Sequence, residues 1–208
     1  MAACPHLVFR DIFGKTTVAE LLSYVADRQA DFAQARVRNR ISGEGRVDYG
    51  LRNSLSLGDL GPFRALFETY VRATMASAIT GLGLTEPAVE PHGFEIIAYP
   101  DGSRFGAHID TDERLTRVRV LSCVYYFAVT PPGFSGGELR LYGLPTLSGG
   151  PVRFIEIVPE TDTMVVFPSW LRHEVRPVRV PSAAWLDGRF TLNCWLHRST
   201  LSPVARPS

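Results

Sequence analysis

The sequence predicts a mainly β protein with flanking helices, and two features of the chain support this class. After residue 92, seven short runs rich in β-branched and aromatic residues follow one another, separated by Gly, Pro, Asp and Ser. Before residue 92, two amphipathic helices are predicted. At 208 residues the chain is long enough for one domain with a substantial core. We therefore expect a single domain, 1–208, with a helical support region at 1–91 and a jelly roll or similar β sandwich at 92–198.

The two predicted helices are expected to pack on the larger sheet of this sandwich. Apolar residues recur at helical spacing over 16–33, where Thr17 and Glu20 have the form of a capping box. Pro62 predicts the start of the second helix, which ends near Gly81–Gly83. Between the helices, apolar and basic residues alternate around glycines, a pattern that fits two short strands or a loop.

The predicted strands lie in the C-terminal half of the chain. Their sequence runs are GFEIIAYP, VRVLSCVYYFAV, GGELRLYG, RFIEIV, DTMVVFPS, HEVRPVRV and GRFTLNCWLH. They are short and separated by turn-forming residues, which favours a sandwich or barrel of antiparallel strands.

Composition and charge argue against several functional classes. A formal net charge of +1 gives no electrostatic attraction to nucleic acid or to an anionic membrane. No apolar run is long enough to span a membrane, and the N-terminus lacks the form of a signal peptide. The three cysteines are too few and too scattered for a disulfide framework or a zinc site. Lys15 is the only lysine among 22 basic residues, which is typical of a GC-rich bacterial genome, so we expect a bacterial protein of the reducing cytoplasm.

The strongest candidate for a metal site combines His108, Asp110 and His173. Residues two apart in a strand point to the same face, so His108 and Asp110 can hold one metal ion. His173 begins a later predicted strand, which a closed barrel could return to the same point. Two histidines and one carboxylate form the facial triad that binds non-haem Fe(II) and leaves other positions open. A His-x-Asp pair alone is a weak signal, because a strand end with a solvated Asp gives the same pattern. The other histidines have no partner at ligand spacing: His6, His92 and His197.

Arg189 is the candidate cation for a carboxylate co-substrate, and 2-oxoglutarate fits this chemistry. A guanidinium pairs bidentately with a carboxylate and stays charged when it is buried. Strand alternation in GRFTLNCW predicts one face of mixed polar character and one apolar face. The first face carries Arg189, Thr191, Asn193 and Trp195, whereas the second carries Phe190, Leu192 and Cys194. The first face is typical of a ligand pocket; an Arg paired with a surface carboxylate is the alternative.

Three further residues are candidates for the same pocket. Tyr126 could reach the carboxylate through its phenol, and Tyr99 could hydrogen-bond near the metal or cover the substrate entrance. Buried tyrosines with satisfied hydroxyl groups are common in β cores, so a structural role is the alternative for both. Arg52, in a predicted loop before the barrel, could contact substrate or lie on the surface.

With these residues placed together, the chain resembles the prolyl 4-hydroxylase branch of the Fe(II)/2-oxoglutarate dioxygenases. The matching segments, in the family's order, are YPDGSRFGAHID, RVLSCVYYF, FSGGELRLY, HEVRPV and GRFTLNCW. The resemblance covers about residues 92–198. It implies a double-stranded β-helix, the jelly-roll or cupin-like architecture, which agrees with the predicted strands.

The resemblance also implies roles for the residues already singled out. The metal ligands would be His108, Asp110 and His173. The groups at the distal carboxylate of 2-oxoglutarate would be Arg189, Tyr126, Thr191 and Asn193. The groups near metal and substrate would be Tyr99 and Trp195. The segment between His173 and Arg189 is longer than in many relatives and could shape the substrate entrance.

The expected function is oxidative decarboxylation of 2-oxoglutarate to succinate and CO₂, coupled to hydroxylation of a C–H bond. The expected cofactors are Fe(II), 2-oxoglutarate and O₂, with ascorbate supporting activity. The expected partner is a small-molecule or peptidyl substrate: a prolyl residue, a free amino acid or a biosynthetic intermediate. No nucleic acid or membrane is expected, and the oligomeric state is left open. Two alternatives are a non-catalytic metal- or carboxylate-binding barrel that acts as sensor or scaffold, and an iron oxygenase that does not use 2-oxoglutarate.

Overall fold

A seven-stranded antiparallel sheet, here called the major sheet, carries most of the predicted strands. The computed structural model describes residues 4–38, 45–85, 88–111, 119–143 and 152–199. With strands numbered in chain order, the major sheet has the order β1 (Leu7–Arg10), β12 (Thr163–Pro168), β8 (Arg119–Phe127), β15 (Arg189–Arg198), β6 (Val89–Tyr99), β5 (Leu55–Leu57) and β2 (Ala33–Gln34). The central strands β8 and β15 are buried along nearly their whole length.

A four-stranded antiparallel sheet, the minor sheet, carries two of the candidate metal ligands, His108 and His173. Its order is β11 (Phe154–Ile157), β10 (Leu139–Tyr142), β13 (His173–Val175) and β7 (Phe105–His108). Two further pairs complete the described strands: β14 (Val178–Arg179) with β9 (Ser135–Gly136), and β3 (Val37–Arg38) with β4 (Gly45–Arg46). The run HEVRPVRV thus forms two short strands, β13 and β14, instead of one.

Side chains from both sheets meet in the space between them. One buried cluster joins Tyr126 and Phe167 of the major sheet to Leu141 of the minor sheet. A second cluster joins Tyr99 of β6 to Val175 of β13. This sandwich of two antiparallel sheets confirms the jelly-roll prediction.

Two helices cover the outer face of the major sheet, as predicted. Helix α1 spans Gly14–Asp27 and helix α2 spans Phe63–Gly81. Their buried apolar residues share one core cluster with the even-numbered residues of β15; the helical members are Val18, Leu21, Val25, Phe63, Phe67, Val71 and Ala78. The helices therefore seal the outer face of the sheet and leave its inner face free to line a site.

The start of α1 differs from the prediction. The helix begins at Gly14 and ends at Asp27, so Thr17 lies inside it and the predicted capping box is wrong. Instead, the carboxylate of Asp162 accepts hydrogen bonds from the backbone N–H groups of Phe13 and Gly14, each at 2.9 Å. The cap therefore comes from the turn before β12, because the helix terminus packs against that end of the major sheet.

The N-terminal region contains short strands besides its helices, and the pair β3–β4 confirms the two short strands predicted as one alternative between the helices. It supplies three strands to the major sheet, β1, β2 and β5, of which β1 pairs along its length with β12. These strands are two to four residues long, too short to give a clear alternating pattern in the sequence.

The last part of the segment between His173 and Arg189 packs against α1. A short 3₁₀ helix covers Trp185–Asp187, and the indole N–H of Trp185 donates to the carbonyl oxygen of Val25 at 2.9 Å. Its ring also contacts Phe32 edge to face. The role of this segment at the substrate entrance stays a prediction, because its earlier residue Val178 packs inward beside Tyr99.

The cysteines and the helices bear on two other expectations. Cys4, Cys123 and Cys194 are all buried and unbridged. Neither described helix combines the length and the apolar character that a transmembrane helix requires.

Candidate active site

His108, Asp110 and His173 converge at one end of the minor sheet. Their ligand atoms all lie within 4.8 Å of one another, and no other described group of three such residues does so. The Nε2 atom of His108 is 3.5 Å from Oδ1 of Asp110, and that of His173 is 3.7 Å from its Oδ2. Asp110 lies just beyond the end of β7, so the pair is held by the strand end and not by strand alternation alone.

The backbone fixes both imidazole rings. Nδ1 of His108 is 2.8 Å from the carbonyl oxygen of Gly106, and Nδ1 of His173 is 2.8 Å from that of Leu171. A carbonyl can only accept, so each Nδ1 carries the proton and each Nε2 presents its lone pair to the centre of the cluster. This is the tautomer that a metal ligand requires.

Two hydrogen-bond donors orient the carboxylate of Asp110 through the same oxygen. Its Oδ2 accepts hydrogen bonds from the Ser122 hydroxyl at 2.5 Å and from the Trp195 indole N–H at 2.9 Å. Ser122 is in turn 3.0 Å from the Ser169 hydroxyl. Oδ1 is therefore the oxygen with lone pairs to spare, and the orientation of the carboxylate is set before any ligand binds.

The charge states of the cluster suit a cation. Burial of Asp110 opposes its ionisation, but His173, His108 and Ser122 outweigh burial and hold the pKa of this carboxyl well below its ordinary value. Burial, together with the neighbouring His108, lowers the pKa of His173 to about 4. At neutral pH the cluster therefore offers a carboxylate and a neutral imidazole, as metal ligation demands.

Gly93 makes room for the indole of Trp195. The pairing of β15 with β6 shifts register between Asn193 and Trp195. Gly93 adopts a positive φ of 65° there, and a Cβ at this position would lie 2.8 Å from Cε3 of Trp195. The bulge thus aims the indole at Asp110, which a regular strand with a larger residue would not permit.

Arg189 is a buried cation without a counter-ion among the described residues. Its side chain is 1% exposed, and none of its three guanidinium nitrogens has a hydrogen-bond partner in the described chain. The guanidinium carbon lies 4.6 Å from the ring centre of Tyr99 and 5.0 Å from that of Tyr126. A buried, unpaired guanidinium is costly unless an anion binds to it, so the arrangement fits a carboxylate ligand.

Three other buried polar atoms are unpaired around Arg189 within the part of the chain that is described: Tyr126 Oη, Thr191 Oγ1 and Asn193 Oδ1. Burial raises the pKa of Tyr126 to about 12, against the lowering effect of Arg189, so its phenol is a hydrogen-bond donor at neutral pH. Strands β8 and β15 place Tyr126 directly opposite Thr191. The predicted polar face of β15 is therefore brought together, with Phe190, Leu192 and Cys194 on the helix side.

Two connected cavities adjoin the metal cluster. An outer cavity of about 710 Å³ is lined by His108 and Asp110 together with Arg52, Glu95 and Trp195. An inner cavity of about 40 Å³ shares these five residues and adds, among others, Tyr99 and Asn193. The predicted substrate residues Tyr99, Trp195 and Arg52 thus all line one space beside the cluster.

Arg52 lies in this space and not on the surface. It is 7% exposed, and its guanidinium lies 4.6 Å from the ring centre of Phe105. Its Nε donates to the Ser54 hydroxyl at 2.8 Å. Phe105 in turn stacks on His108 with ring centres 3.6 Å apart. A bridge between the backbones of Arg52 and Phe105 fixes this placement.

Sequence reasoning did not single out Glu95, Ser122 or Arg119. Glu95 has the strand parity of Tyr99, which could have pointed to it. Arg119 lies over the Trp195 ring, with its guanidinium carbon 4.0 Å from the ring centre. Ser122 gave no signal, because one serine in an apolar strand has many structural explanations.

Comparison with known proteins agrees with this geometry. The model of the 2OG-Fe(II) oxygenase superfamily matches residues 94–197. A protein of Synechocystis sp. named as an uncharacterized PKHD-type hydroxylase is 32% identical over 138 residues, which cover 64% of this chain and 45% of that protein. This chain therefore spans less than half the length of that relative.

Two solved structures share the fold over almost the whole chain. A Pseudomonas putida prolyl-4-hydroxylase superposes with a TM-score of 0.66 at 20% identity, covering 95% of both chains. A prolyl hydroxylase from Trichoplax adhaerens, in complex with a peptide fragment of the hypoxia inducible factor oxygen degradation domain, gives 0.66 at 20% identity and covers 93% of this chain and 84% of that one. At this identity both structures support the fold alone.

The family match extends over half of the chain and includes the residues named for the candidate site except Arg52 and Gly93. The chain belongs to the 2OG-Fe(II) oxygenase superfamily, and the predicted resemblance to its prolyl 4-hydroxylase-like members is confirmed. The family implies Fe(II), 2-oxoglutarate and O₂ as its cofactors.

Proposed function

We propose that this chain is a non-haem Fe(II) dioxygenase that couples decarboxylation of 2-oxoglutarate to hydroxylation of a substrate C–H bond. The observation that supports it is the combination, inside one barrel, of the His–Asp–His cluster with the buried, unpaired Arg189. Tyr99 connects the two, since it lines the inner cavity with His108 and Asp110 and lies against the Arg189 guanidinium.

The residues of the cluster fit an iron ion. His108 and His173 would bind through Nε2 and Asp110 through its less occupied oxygen, Oδ1. Two nitrogens and one oxygen on one side of the ion would leave the opposite side for co-substrate and O₂. Bound iron, with 2-oxoglutarate and O₂, supplies the oxidising chemistry that yields succinate, CO₂ and a hydroxylated substrate.

The residues around Arg189 fit the distal carboxylate of 2-oxoglutarate. Arg189 would pair with this carboxylate bidentately, and the Tyr126 phenol and Thr191 hydroxyl would each donate a hydrogen bond to it. Three buried groups that lack partners among the described residues would then all be satisfied. Asn193 would line the same end, while Trp195 and Ser122 keep the Asp110 carboxylate oriented.

The substrate class is proposed more broadly. A peptidyl residue, a free amino acid or another small molecule would enter through the outer cavity, beside Tyr99, Trp195 and Arg52. We further propose ascorbate as a supporting reductant and the bacterial cytoplasm as the location, where iron stays ferrous.

The test is succinate formation from 2-oxoglutarate with Fe(II), ascorbate and O₂. Wild-type protein is compared with Asp110→Ala and with the control Asp27→Ala, which removes a carboxylate at the end of α1. We expect slow turnover in the wild type and the control, and a loss of about a hundredfold or more in Asp110→Ala, since even supporting residues of metal ligands are worth 10–100-fold.

Binding measurements under anaerobic conditions complete this test. If no succinate forms but Fe(II) and 2-oxoglutarate bind, turnover is coupled to a substrate that was not supplied. Failure of the wild-type protein to bind either one would contradict the proposal and favour the non-catalytic barrel. Full activity in Asp110→Ala would show that the metal site lies elsewhere.

A further inference from the structure

We infer that the substrate is a free amino acid, bound as a zwitterion with its ammonium group at Glu95 and its carboxylate at Arg52. This inference rests on the proposed function and specifies its substrate class. It follows from two opposite charges in the cavity beside the metal cluster, neither of which forms a salt bridge within the described chain.

Glu95 is a carboxylate that faces the reaction space. In β6, its neighbours Phe94 and Ile96 join the core under the helices, so Glu95 points to the inner face together with Ile97 and Tyr99. It lines both cavities with His108 and Asp110. Burial raises the pKa of Glu95, and the nearby charges of Arg52 and Arg119 oppose this shift. None of the described ion pairs includes Glu95. A carboxylate in such a place is ready to accept a cationic group from a ligand.

Arg52 supplies the opposite charge in the same cavities. Its known hydrogen bonds go to neutral oxygens, the Ser54 hydroxyl and the backbone carbonyl of Arg36. No described carboxylate lies within salt-bridge distance of its guanidinium, which is nonetheless buried. The guanidinium lies over the Phe105 ring, which in turn stacks on His108, and a guanidinium held in this way is suited to a carboxylate.

Arg52 and Glu95 both line each of the two cavities beside the metal cluster. Arg52 and Glu95 line the inner cavity, which is about 40 Å³ and also contacts the metal ligands. They line the outer cavity too, which is about 710 Å³. The charged end of an amino acid would thus lie near the metal, and the wider space would admit a long or branched side chain.

A zwitterion matches these charges better than an internal residue of a peptide. A peptide backbone is neutral, so it would cover Glu95 and Arg52 and remove their water without supplying a counter-charge. A free amino acid supplies one ammonium and one carboxylate and neutralises both. The same charges discriminate against analogues in which either group is blocked.

The test measures which compounds raise succinate formation above the basal rate. The compounds are the free common amino acids with L-ornithine and L-pipecolate, and their N-acetyl and C-terminal amide forms. Peptides that contain the same residues internally complete the set. We expect at least one free acid to raise turnover several-fold and to lose this effect when either of its charged groups is blocked.

Two variants then assign the groups. For the most active acid, Glu95→Gln should raise KM about tenfold or more, since one partner of a buried charge pair is lost. The N-acetyl form, which has no ammonium, should bind equally weakly to the wild type and to Glu95→Gln. Arg52→Gln should likewise raise the KM for the free acid about tenfold or more. The amide form, which has no carboxylate, should bind equally weakly to the wild type and to Arg52→Gln. The control Glu90→Gln changes a carboxylate of the same strand outside both cavities and should leave the KM unchanged.

Three results separate the inference from the proposed function. If only peptides that contain the residue internally raise turnover, the inference that the substrate binds as a zwitterion is wrong. The same holds if the N-acetyl and amide forms raise turnover as strongly as the free acid. No stimulation by any free acid, in a protein that still forms succinate, would also overturn it and leave the proposed function intact. If 2-oxoglutarate neither binds nor turns over, the proposed function fails, and the inference fails with it.

Discussion

His108 and His173 lie directly opposite each other in the antiparallel pairing of β7 with β13. Each hydrogen-bonds through Nδ1 to the carbonyl oxygen two residues before it in the chain, at 2.8 Å in both cases. The two rings therefore receive the same tautomer from the same local geometry, and their centres lie 4.2 Å apart. Strand pairing, and not a flexible loop, sets the distance between the two nitrogen ligands, which favours a preorganised metal site.

The indole of Trp195 should affect metal binding through Asp110. Trp195→Phe keeps most of the ring but removes the N–H that donates to Oδ2 of Asp110. We expect Fe(II) affinity to fall about 10–100-fold, the usual effect of losing a group that orients a ligand. Anaerobic titration with Fe(II) measures this change.

The matched control is Trp185→Phe, which removes an equivalent indole hydrogen bond to the backbone of Val25. It should lower the stability of the fold without changing metal affinity. Equal metal affinity in the wild type and Trp195→Phe would show that Ser122 alone suffices to orient Asp110.

We expect Arg189 to be needed for binding of 2-oxoglutarate and to lower the stability of the ligand-free fold. Each of its two cation–π contacts contributes about 2 kcal/mol when desolvated, whereas burying a lone charge costs several kcal/mol and each of its nitrogens left unpaired in the described chain adds about 1–3 kcal/mol. Arg189→Met should therefore raise the free energy of unfolding by about 1–2 kcal/mol in the absence of ligand. It should also abolish the thermal stabilisation that 2-oxoglutarate gives to the wild type. A less stable variant that still binds 2-oxoglutarate would identify Arg189 as a structural residue.

Gly137 should control the position of Arg189. A Cβ there would lie 2.6 Å from Cδ of Arg189 and 2.9 Å from Cγ2 of Val178, at a φ of 70°. We expect Gly137→Ala to raise the KM for 2-oxoglutarate and to destabilise the fold by about 1 kcal/mol or more. Gly102→Ala carries a similar strain, with a φ of 73°, but its Cβ would meet nothing within 4 Å. This control should lose stability and keep the wild-type KM, so an equal KM in both variants would contradict the assignment.

Asp162 should stabilise the junction of α1 with the major sheet. Its carboxylate accepts from the backbone of Phe13 and Gly14 and from the Tyr125 hydroxyl at 2.9 Å. Asp162→Ala should lower the free energy of unfolding by about 2–3 kcal/mol, the loss of a helix cap plus a hydrogen bond to a charged group. Denaturant unfolding measures it. Asp162→Asn, which keeps an acceptor oxygen and tolerates the positive φ of 60°, should lose less; equal losses would point to the charge itself.

The sequence predicts the barrel and much of the site because their signals are local. The run GRFTLNCW alternates strictly, so the inner placement of Arg189, Thr191 and Asn193 follows from the two-residue period of a strand. His173 begins a strand as predicted. Asp110 reaches the same centre although β7 ends at His108, because the spacing of two residues limits how far it can turn away.

What the sequence does not predict depends on contacts between distant segments. Asp162 caps a helix that begins 148 residues before it, so no local capping pattern exists. The hydrogen bond of Trp185 is equally invisible in the local sequence, since its partner Val25 is 160 residues away. Glu95 is a different case: β6 is buried on both faces near its end, so only its shared parity with the candidate Tyr99, and not apolar alternation, points to the inner face.

Strand β15 separates two kinds of constraint along ten residues. Its odd positions from Arg189 to Trp195 contact the ligand space, and its even positions from Phe190 to Leu196 pack under the helices. A saturation screen of this strand should therefore give two interleaved patterns, one in catalytic output and one in the amount of folded protein. Substitutions that change the reaction can then accumulate at every second residue without loss of stability, because neighbouring side chains are under different selective constraints.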